Sequence, residues 1–375
     1  MTIWYFVLTL LFIFSTLEVC GQKNVFVARR VSFNLIVFFY LSFFLLLLAS
    51  LRFETGRDWE NYLHMYRYDN PENSFTESGY IRMNVFFRNL NLGDKGFYLM
   101  QFVVMTFCCG VIYRNIYENN DFPIFILLVY FTSYFFSVEL AQTRQHIAMA
   151  VLICGNRFIR DKKFILWVLV VIFAMQFHIT AIMAFPLYFT DRIGLANPIV
   201  FILLFLALVL NLAGFNLVWT MLNIAVNLSF IPERIARIMK SYMNSDIYGQ
   251  QGQYSTGLGL LCRYVFYFVF AFLWMLKNKD ERKKYHITNF LIAVYFTSLG
   301  RNFDQFSRIA NYYFICGKGL SLYNTLPSSI KFFKKLDVTR FTLVAFYSLF
   351  IIFSFYMSWM SEYEYSYQTV LFYPF

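Results

Sequence analysis

Twelve apolar runs, most of them close to the length of a bilayer crossing, occupy much of this 375-residue chain and leave it few folds. They cover 2–19, 31–51, 96–113, 122–138, 145–159, 164–189, 196–213, 215–231, 258–276, 287–299, 309–326 and 341–359. About 20 apolar residues in a helix span the roughly 30 Å of a hydrocarbon core, whereas a tilted barrel strand needs about half that number. A helix also satisfies its own backbone hydrogen bonds, which lipid cannot do. Composition agrees, with 59% hydrophobic, 22% aromatic and only 14% charged residues and a mean hydropathy of +0.54. No soluble domain needs so much apolar surface. The expected fold is all-α: a polytopic integral membrane protein, one membrane domain over 1–375, with about 12 transmembrane helices and a lower bound of 10. The bound reflects runs 145–159 and 287–299, which are short, and 215–231, which is polar.

The first run lacks a basic leader, and Glu18-Val19-Cys20-Gly21 makes a poor cleavage site, so it reads as an uncleaved span. The six cysteines, Cys20, Cys108, Cys109, Cys154, Cys262 and Cys316, lie in or beside apolar runs with no CxxC pair. Their spacing suggests small packing residues, and neither a metal site nor a cofactor is expected. No phosphate loop, GxSxG elbow, HExxH pair or dinucleotide fingerprint occurs.

Lysines and arginines orient the spans. Lys23/Arg29/Arg30, Arg157/Arg160/Lys162/Lys163, Lys277/Lys279/Arg282/Lys283/Lys284 and Lys331/Lys334/Lys335/Arg340 suit the cytoplasmic side. Threading the runs through these anchors puts both termini outside. The net charge of +11 is then an orientation signal rather than a nucleic-acid surface. Two long loops fall outside. One covers 52–95, with a turn-like Pro/Asn/Ser/Gly-rich middle at 69–79. The other covers 232–257 and carries Ile235, Ile238, Met239 and Tyr242 at the spacing of an amphipathic helix on the membrane surface.

The same threading places the unusual polar residues on the outer side. Arg52, Arg57 and Asp58 follow the second run; Glu139, Arg144, Gln145 and His146 separate the fourth and fifth. His178 lies in the outer half of the sixth, Arg263 just inside the ninth, and Arg301, Asp304 and Arg308 between the tenth and eleventh. Arginine's planar fork makes paired, charge-assisted bonds to phosphate and does not deprotonate. Arginines set within the membrane point to an anionic ligand that is itself partly in lipid, as a lipid-linked phosphate is. Arg144, Arg308 and Arg263 are the candidates to hold a pyrophosphate. Blander readings exist for each: Arg144 as a headgroup anchor, His178 bonded to a carbonyl, Asp58 as a solvated loop carboxylate. Arg234 and Arg237 fit headgroup contacts better than a ligand site.

Certain of these residues resemble a known pattern. Thr143-Arg144-Gln145-His146-Ile147-Ala148, followed after a basic turn by Phe177-His178-Ile179-Thr180-Ala181, is similar to the hallmark of the EpsG family, an Arg-Gln-x-x-Ala helix before a helix ending in Phe-His-x-(Ser/Thr)-Ala. Arg52 to Tyr62 resembles that family's Arg-x-x-x-Gly-Thr-Asp-Tyr-x-x-Tyr loop, with Arg57 in place of Thr and Trp59 in place of Tyr. Ser307-Arg308-Ile309-Ala310-Asn311-Tyr312-Tyr313 resembles its late Arg-Ile-x-x-Tyr element. The family includes Wzy-type O-antigen polymerases. The resemblance therefore implies joining of undecaprenyl-pyrophosphate-linked oligosaccharide units at the periplasmic face of a bacterial inner membrane, with a chain-length regulator as partner.

The mechanism expected on that reading transfers a growing glycan from one lipid pyrophosphate to a sugar hydroxyl of a second lipid-linked unit. Arg144 and Arg308, supported by Arg263, would neutralise the leaving pyrophosphate. His178 or Asp58 would act as base, His178 first because imidazole titrates nearer neutrality. Trp59 and Tyr62 are expected to stack on sugar rings, with Arg52 and Gln145 also on the acceptor side. An O-antigen ligase would share the donor site. A flippase would need a cavity open to both faces, and a sugar acyltransferase would need a cytoplasmic His/Asp site.

Overall fold

The computed structural model describes residues 2–20, 26–28, 31–56, 58–71, 76–190, 192–193, 195, 197–212, 223–224, 226–228, 236, 240, 258–277, 284–299, 304–332, 338–361 and 368–369. These residues are overwhelmingly helical and form two compact units, one of 1–185 with 323–375 and one of 186–322.

In the first unit, α1 (Thr2–Cys20) is followed by a minimal antiparallel pair, β1 (Phe26–Ala28) with β2 (Val31–Ser32), and by α2 (Phe33–Ser50). After β3 (Arg52–Phe53), the stretch expected to be a turn-rich outer loop builds two helices, α3 (Trp59–Tyr68) and α4 (Ser78–Arg88). Both pack on α5 (Asp94–Asn119). Their apolar sides, Trp59, Tyr62, Tyr66 and Tyr80, close over Phe97, Met100 and Val104. Arg88 donates to the carbonyls of Tyr66, Arg67 and Asp69, covering the last turn of α3. A fork from Arg67 reaches both carboxylate oxygens of Asp94. The turn signals at 69–79 mark only the link between the two helices, because Ser78 and Gly79 already belong to α4.

Helix α6 (Pro123–Tyr130) runs without interruption into π-helical turns over Phe131–Leu140, and nearly all of this segment is buried. Proline at its first position has no N–H to leave unpaired. The Glu18 carboxylate of α1 accepts the next two, Ile124 N–H at 3.3 Å and Phe125 N–H at 2.9 Å. The chain then turns into α7 (Thr143–Arg160) and, through Asp161–Lys163, into α8 (Phe164–Met175) packed against it.

Here a sequence expectation fails. The run 164–189 reads as one span, yet the helix stops at Met175, His178 is extended (φ −155°, ψ 115°), and a 3-10 turn at Ile179–Ala184 follows. The reason is a tertiary partner. The Gln176 carbonyl accepts Gly79 N–H at 2.8 Å and Tyr80 N–H at 3.3 Å, and its side-chain oxygen accepts Ser78 Oγ–H at 2.6 Å. The start of α4 thus docks on the break in the sixth apolar run. Only glycine fits at 79, since a Cβ there would stand 2.7 Å from the Gln176 oxygen.

The second unit holds α9 (Leu187–Thr190), α10 (Asn197–Leu212), α11 (Leu258–Lys277), α12 (Lys284–Leu299) and α13 (Asp304–Asn311). α12 packs on α9, α10 and α13 around Phe290, Ala293 and Val294. The Asn289 amide donates to the Gly317 carbonyl at 2.8 Å. The run 309–326 is also not one straight span. It passes into π-helical turns at Tyr312–Cys316 and turns at Gly317, with Lys318 at φ +59°.

The chain returns to the first unit with α14 (Thr325–Phe332) and α15 (Val338–Ser361), which lies along the π-helical segment. The strand β4 (Gln368–Thr369) pairs antiparallel with β3, Arg52 opposite Thr369. Among the described residues, four helices are long and apolar enough to cross a membrane: Ile3–Cys20, Phe33–Ser50, Asp94–Asn119 and Pro123–Leu140. Six shorter apolar helices accompany them, the architecture of a polytopic membrane protein. Most of the run 215–231 and of the loop 232–257, with its amphipathic segment, lies outside the described residues, as do Arg57, Arg234, Arg237 and Arg301.

Candidate functional site

One carboxylate draws the first unit's polar residues together. Glu77, the residue before α4, accepts from Arg144 Nη1 at 2.6 Å through Oε2. Its Oε1 accepts the Ile179 N–H at 3.0 Å and lies 3.3 Å from His178 Nδ1. Arg144 is the second residue of α7, and His178 and Ile179 form the break after α8. The site therefore joins three elements far apart in sequence. The Tyr62 phenol, on α3, is near enough to act electrostatically on the Arg144 guanidinium. Side-chain exposure is 25% for Arg144, 14% for Glu77 and 11% for His178, so the cluster sits at the edge of the interior with the arginine the most open. Among the described residues, Arg144 Nε has no hydrogen-bond partner.

Burial by itself would push the Glu77 carboxyl up. The His178 imidazole and the Arg144 guanidinium, aided by the Ile179 N–H, outweigh it and bring the carboxyl down to about 2. Glu77 is ionised at any physiological pH. For Tyr62, desolvation dominates and raises the phenol despite the nearby guanidinium.

Sequence reading missed Glu77. It stands in the turn-like stretch 69–79, and no local pattern links it to Arg144. The one signal available was its place, an acidic residue just ahead of an amphipathic segment at 78–88, where a helix N-terminus favours negative charge.

The other expected residues are placed as follows. Arg52 is buried; its Nη1 donates to the Glu139 carbonyl at 2.8 Å and Nη2 to Thr143 Oγ1 at 3.1 Å. Its guanidinium also lies 5.4 Å from the Trp59 ring centre. Trp59 stands edge-on to Phe97 and stacks on Tyr98. Tyr62 tilts against Tyr80. Trp59 and Tyr62 are each 3% exposed, so protein already covers the ring faces expected to stack on sugars. Gln145 is buried in the first turn of α7. Asp58, half-buried ahead of α3, makes no side-chain bond to that helix's N-terminus. Arg263, on α11, and Arg308, in the last turn of α13, are half-buried members of the second unit.

Sequence spacing indicated no metal ligands, but the fold gathers three donors. Ligand atoms of Cys109, Glu139 and His146 lie within 4.8 Å of one another, all buried. Tyr113 donates to Glu139 at 2.9 Å, and neither His146 nitrogen has a hydrogen-bond partner among the described residues. A cation there would meet the fixed charge of Arg52, whose guanidinium is bonded to the Glu139 backbone and acts on both Glu139 and His146. The nest already holds its positive charge, and the donors are better read as a polar network bracing the start of α7.

Chemically, the Arg144 cluster offers a guanidinium for an anion, an imidazole 3.3 Å from a carboxylate, and a largely buried frame around both. Comparison with known proteins then places the chain. No curated protein and no solved structure matches it. The model of the EpsG family matches residues 35–372, from α2 through the β4 pairing and across every element of the site. On that match the chain belongs to the EpsG family, a family of Wzy-type polymerase-like membrane proteins.

Proposed function

We propose that this protein is a polysaccharide polymerase that joins undecaprenyl-pyrophosphate-linked oligosaccharide units at the outer face of a bacterial inner membrane. The observation that carries the reading is the convergence of Arg144 and His178 on Glu77 at the edge of a membrane-embedded unit. Joining such units breaks the bond between the reducing-end sugar of the growing chain and its lipid pyrophosphate. A sugar hydroxyl of the second unit forms the new bond. The leaving group is a stable anion, so the need is to hold its developing charge, which a preorganised guanidinium in a dry site does. Arg144, the most open member of the cluster, takes that role. His178 receives the proton of the attacking hydroxyl. The threading of charged loops puts this cluster on the periplasmic side.

The test is a gel of surface polysaccharide from a strain lacking the gene, with and without the gene restored. A single repeat unit on its carrier, with the ladder recovered on complementation, supports the polymerase. Bare carrier with lipid-linked polymer accumulating means a ligase instead, and an unchanged ladder removes the assignment.

A further inference from the structure

Glu77 belongs to none of the groups that the polymerase reading needs for bond-making, yet it is the most heavily engaged side chain of the site. Two donors from separate elements point at its two oxygens, the Arg144 guanidinium at Oε2 and the Ile179 N–H at Oε1, and His178 Nδ1 lies 3.3 Å from Oε1. The Ile179 contact is informative. It spends a carboxylate oxygen on the one backbone N–H directly after the extended His178, so the carboxylate holds the main chain beside the ring. Behind Glu77, the bonds from Ser78, Gly79 and Tyr80 to Gln176 fix the carboxylate's own backbone against the same break. A residue serving merely as a counter-charge for Arg144 would need none of this.

We propose that Glu77 is the positioning residue of the site. It holds the His178 ring in the tautomer with the proton on Nδ1, which makes Nε2 the basic nitrogen, and it fixes the Arg144 fork in the same frame. The inference rests on the reading of His178 as the base. Its logic is that of a carboxylate behind a catalytic imidazole, which acts by orientation and charge and never touches the substrate. The carboxylate keeps its charge throughout. In the step itself, the acceptor O–H gives its proton to Nε2, the oxygen forms the new C–O bond, and the old C–O electron pair leaves with the lipid pyrophosphate.

The alternative is that Glu77 occupies the anion position and must be displaced by the donor. The two readings differ in sign. Removal of a positioning residue lowers kcat, whereas removal of a competitor lowers KM.

Two measurements test the proposal. The first uses membranes carrying wild-type protein, Glu77→Gln or Glu77→Asp at matched protein levels, supplied with the lipid-linked unit extracted from the gene-deletion strain. Glu77→Gln is expected to lose on the order of 10²-fold in kcat with KM changed by less than about 3-fold, and Glu77→Asp to recover part of the loss. A KM that falls while kcat holds overturns the proposal in favour of the competitor. The second needs no turnover: imidazole 15N spectra of the purified protein, with the His178 signal assigned by its disappearance in His178→Asn. The wild type should show the Nδ1–H form and Glu77→Gln a shift toward Nε2–H. An unchanged tautomer in Glu77→Gln overturns the proposal even if the protein proves to have a different activity. A wild type that makes no polymer while the tautomer does shift counts against the polymerase reading alone.

Discussion

Arg52 donates to the Glu139 carbonyl at 2.8 Å, across 87 residues of chain. With its second nitrogen on Thr143 Oγ1 at 3.1 Å, it ties β3 to both the end of the π-helical segment and the first residue of α7. Arg144 is the next residue, so the register of the proposed anion site depends on the buried Arg52 guanidinium. Replacing Arg52 by Ala leaves the carbonyl and hydroxyl without their donor and opens a hole in the core. The expected loss is about 3 kcal/mol. Arg52→Lys should restore little, because an ammonium does not span two acceptors set for a planar fork. Thermal unfolding in detergent checks this: both variants should melt well below the wild type, and activity should fall with stability rather than independently of it.

Gly56 tests the same corner from the backbone side. It sits at φ +119°, and a Cβ added there would collide with the Leu140 carbonyl oxygen. Gly56→Ala therefore combines a disfavoured conformation with a backbone clash and should cost more than about 2 kcal/mol. Gly93 is the control. It has φ +57° but open space around it, so Gly93→Ala carries the conformational strain alone and should be the milder variant. Equal melting temperatures for the two would mean that the approach of Gly56 to the end of the π-helical segment does not matter.

How much of this was legible in the sequence follows from what each signal measures. Hydropathy found the long helices because lipid sets their length; 2–19, 31–51, 96–113 and 122–138 correspond to α1, α2, α5 and α6 with its π-helical extension. It did not find the break at Gln176–His178, because composition there stays apolar and the helix is ended by α4, almost a hundred residues earlier in the chain. The motif residues Arg144 and His178 were visible as costly groups in apolar surroundings. Glu77 was not, because an acidic residue in a Pro/Asn/Ser stretch looks solvated until its partners are placed.

Trp59 is a residue that sequence marks for ligand and that the fold buries among other rings. Its ring is covered by Phe97, Tyr98 and the Arg52 guanidinium. Trp59→Phe keeps an aromatic in that slot and should leave KM for the lipid-linked acceptor unchanged, with a stability loss of about 1–2 kcal/mol. Trp59→Ala should cost about 3–5 kcal/mol and reduce the amount of folded protein. A raised KM in the Phe variant at normal stability would return Trp59 to the sugar site.

The Glu77 carboxyl gives a pH dependence of defined sign. Its value falls from 4.5 to about 2 on folding, so the native state favours the ionised form. That contribution is complete above about pH 4.5 and declines as pH drops toward 2, where the carboxyl protonates in both states. For a side chain only 14% exposed, the full effect is roughly 3 kcal/mol. Wild-type protein should therefore lose its stability advantage over Glu77→Gln between about pH 4.5 and 2. Melting curves of the two that stay parallel through that interval would show that the surrounding groups do not hold Glu77 ionised.

Arg144→Lys separates charge from geometry at the proposed pyrophosphate site. Arg144 uses Nη1 on Glu77 with the Tyr62 phenol nearby, and among the described residues Nε has no hydrogen-bond partner. A lysine at this position reaches Glu77 as a point charge and leaves no second prong for a phosphate oxygen. The ion pair with Glu77 and the start of α7 should then survive, and the melting temperature should stay close to that of the wild type. Polymer formation should nevertheless drop on the order of 10²-fold or more, nearly as far as in Arg144→Ala, because the lost interaction is one that strengthens as the leaving group gains charge. The readout is the pair of values: folded protein retained and ladder absent. Full polymerisation by the lysine variant would show that Arg144 supplies charge alone.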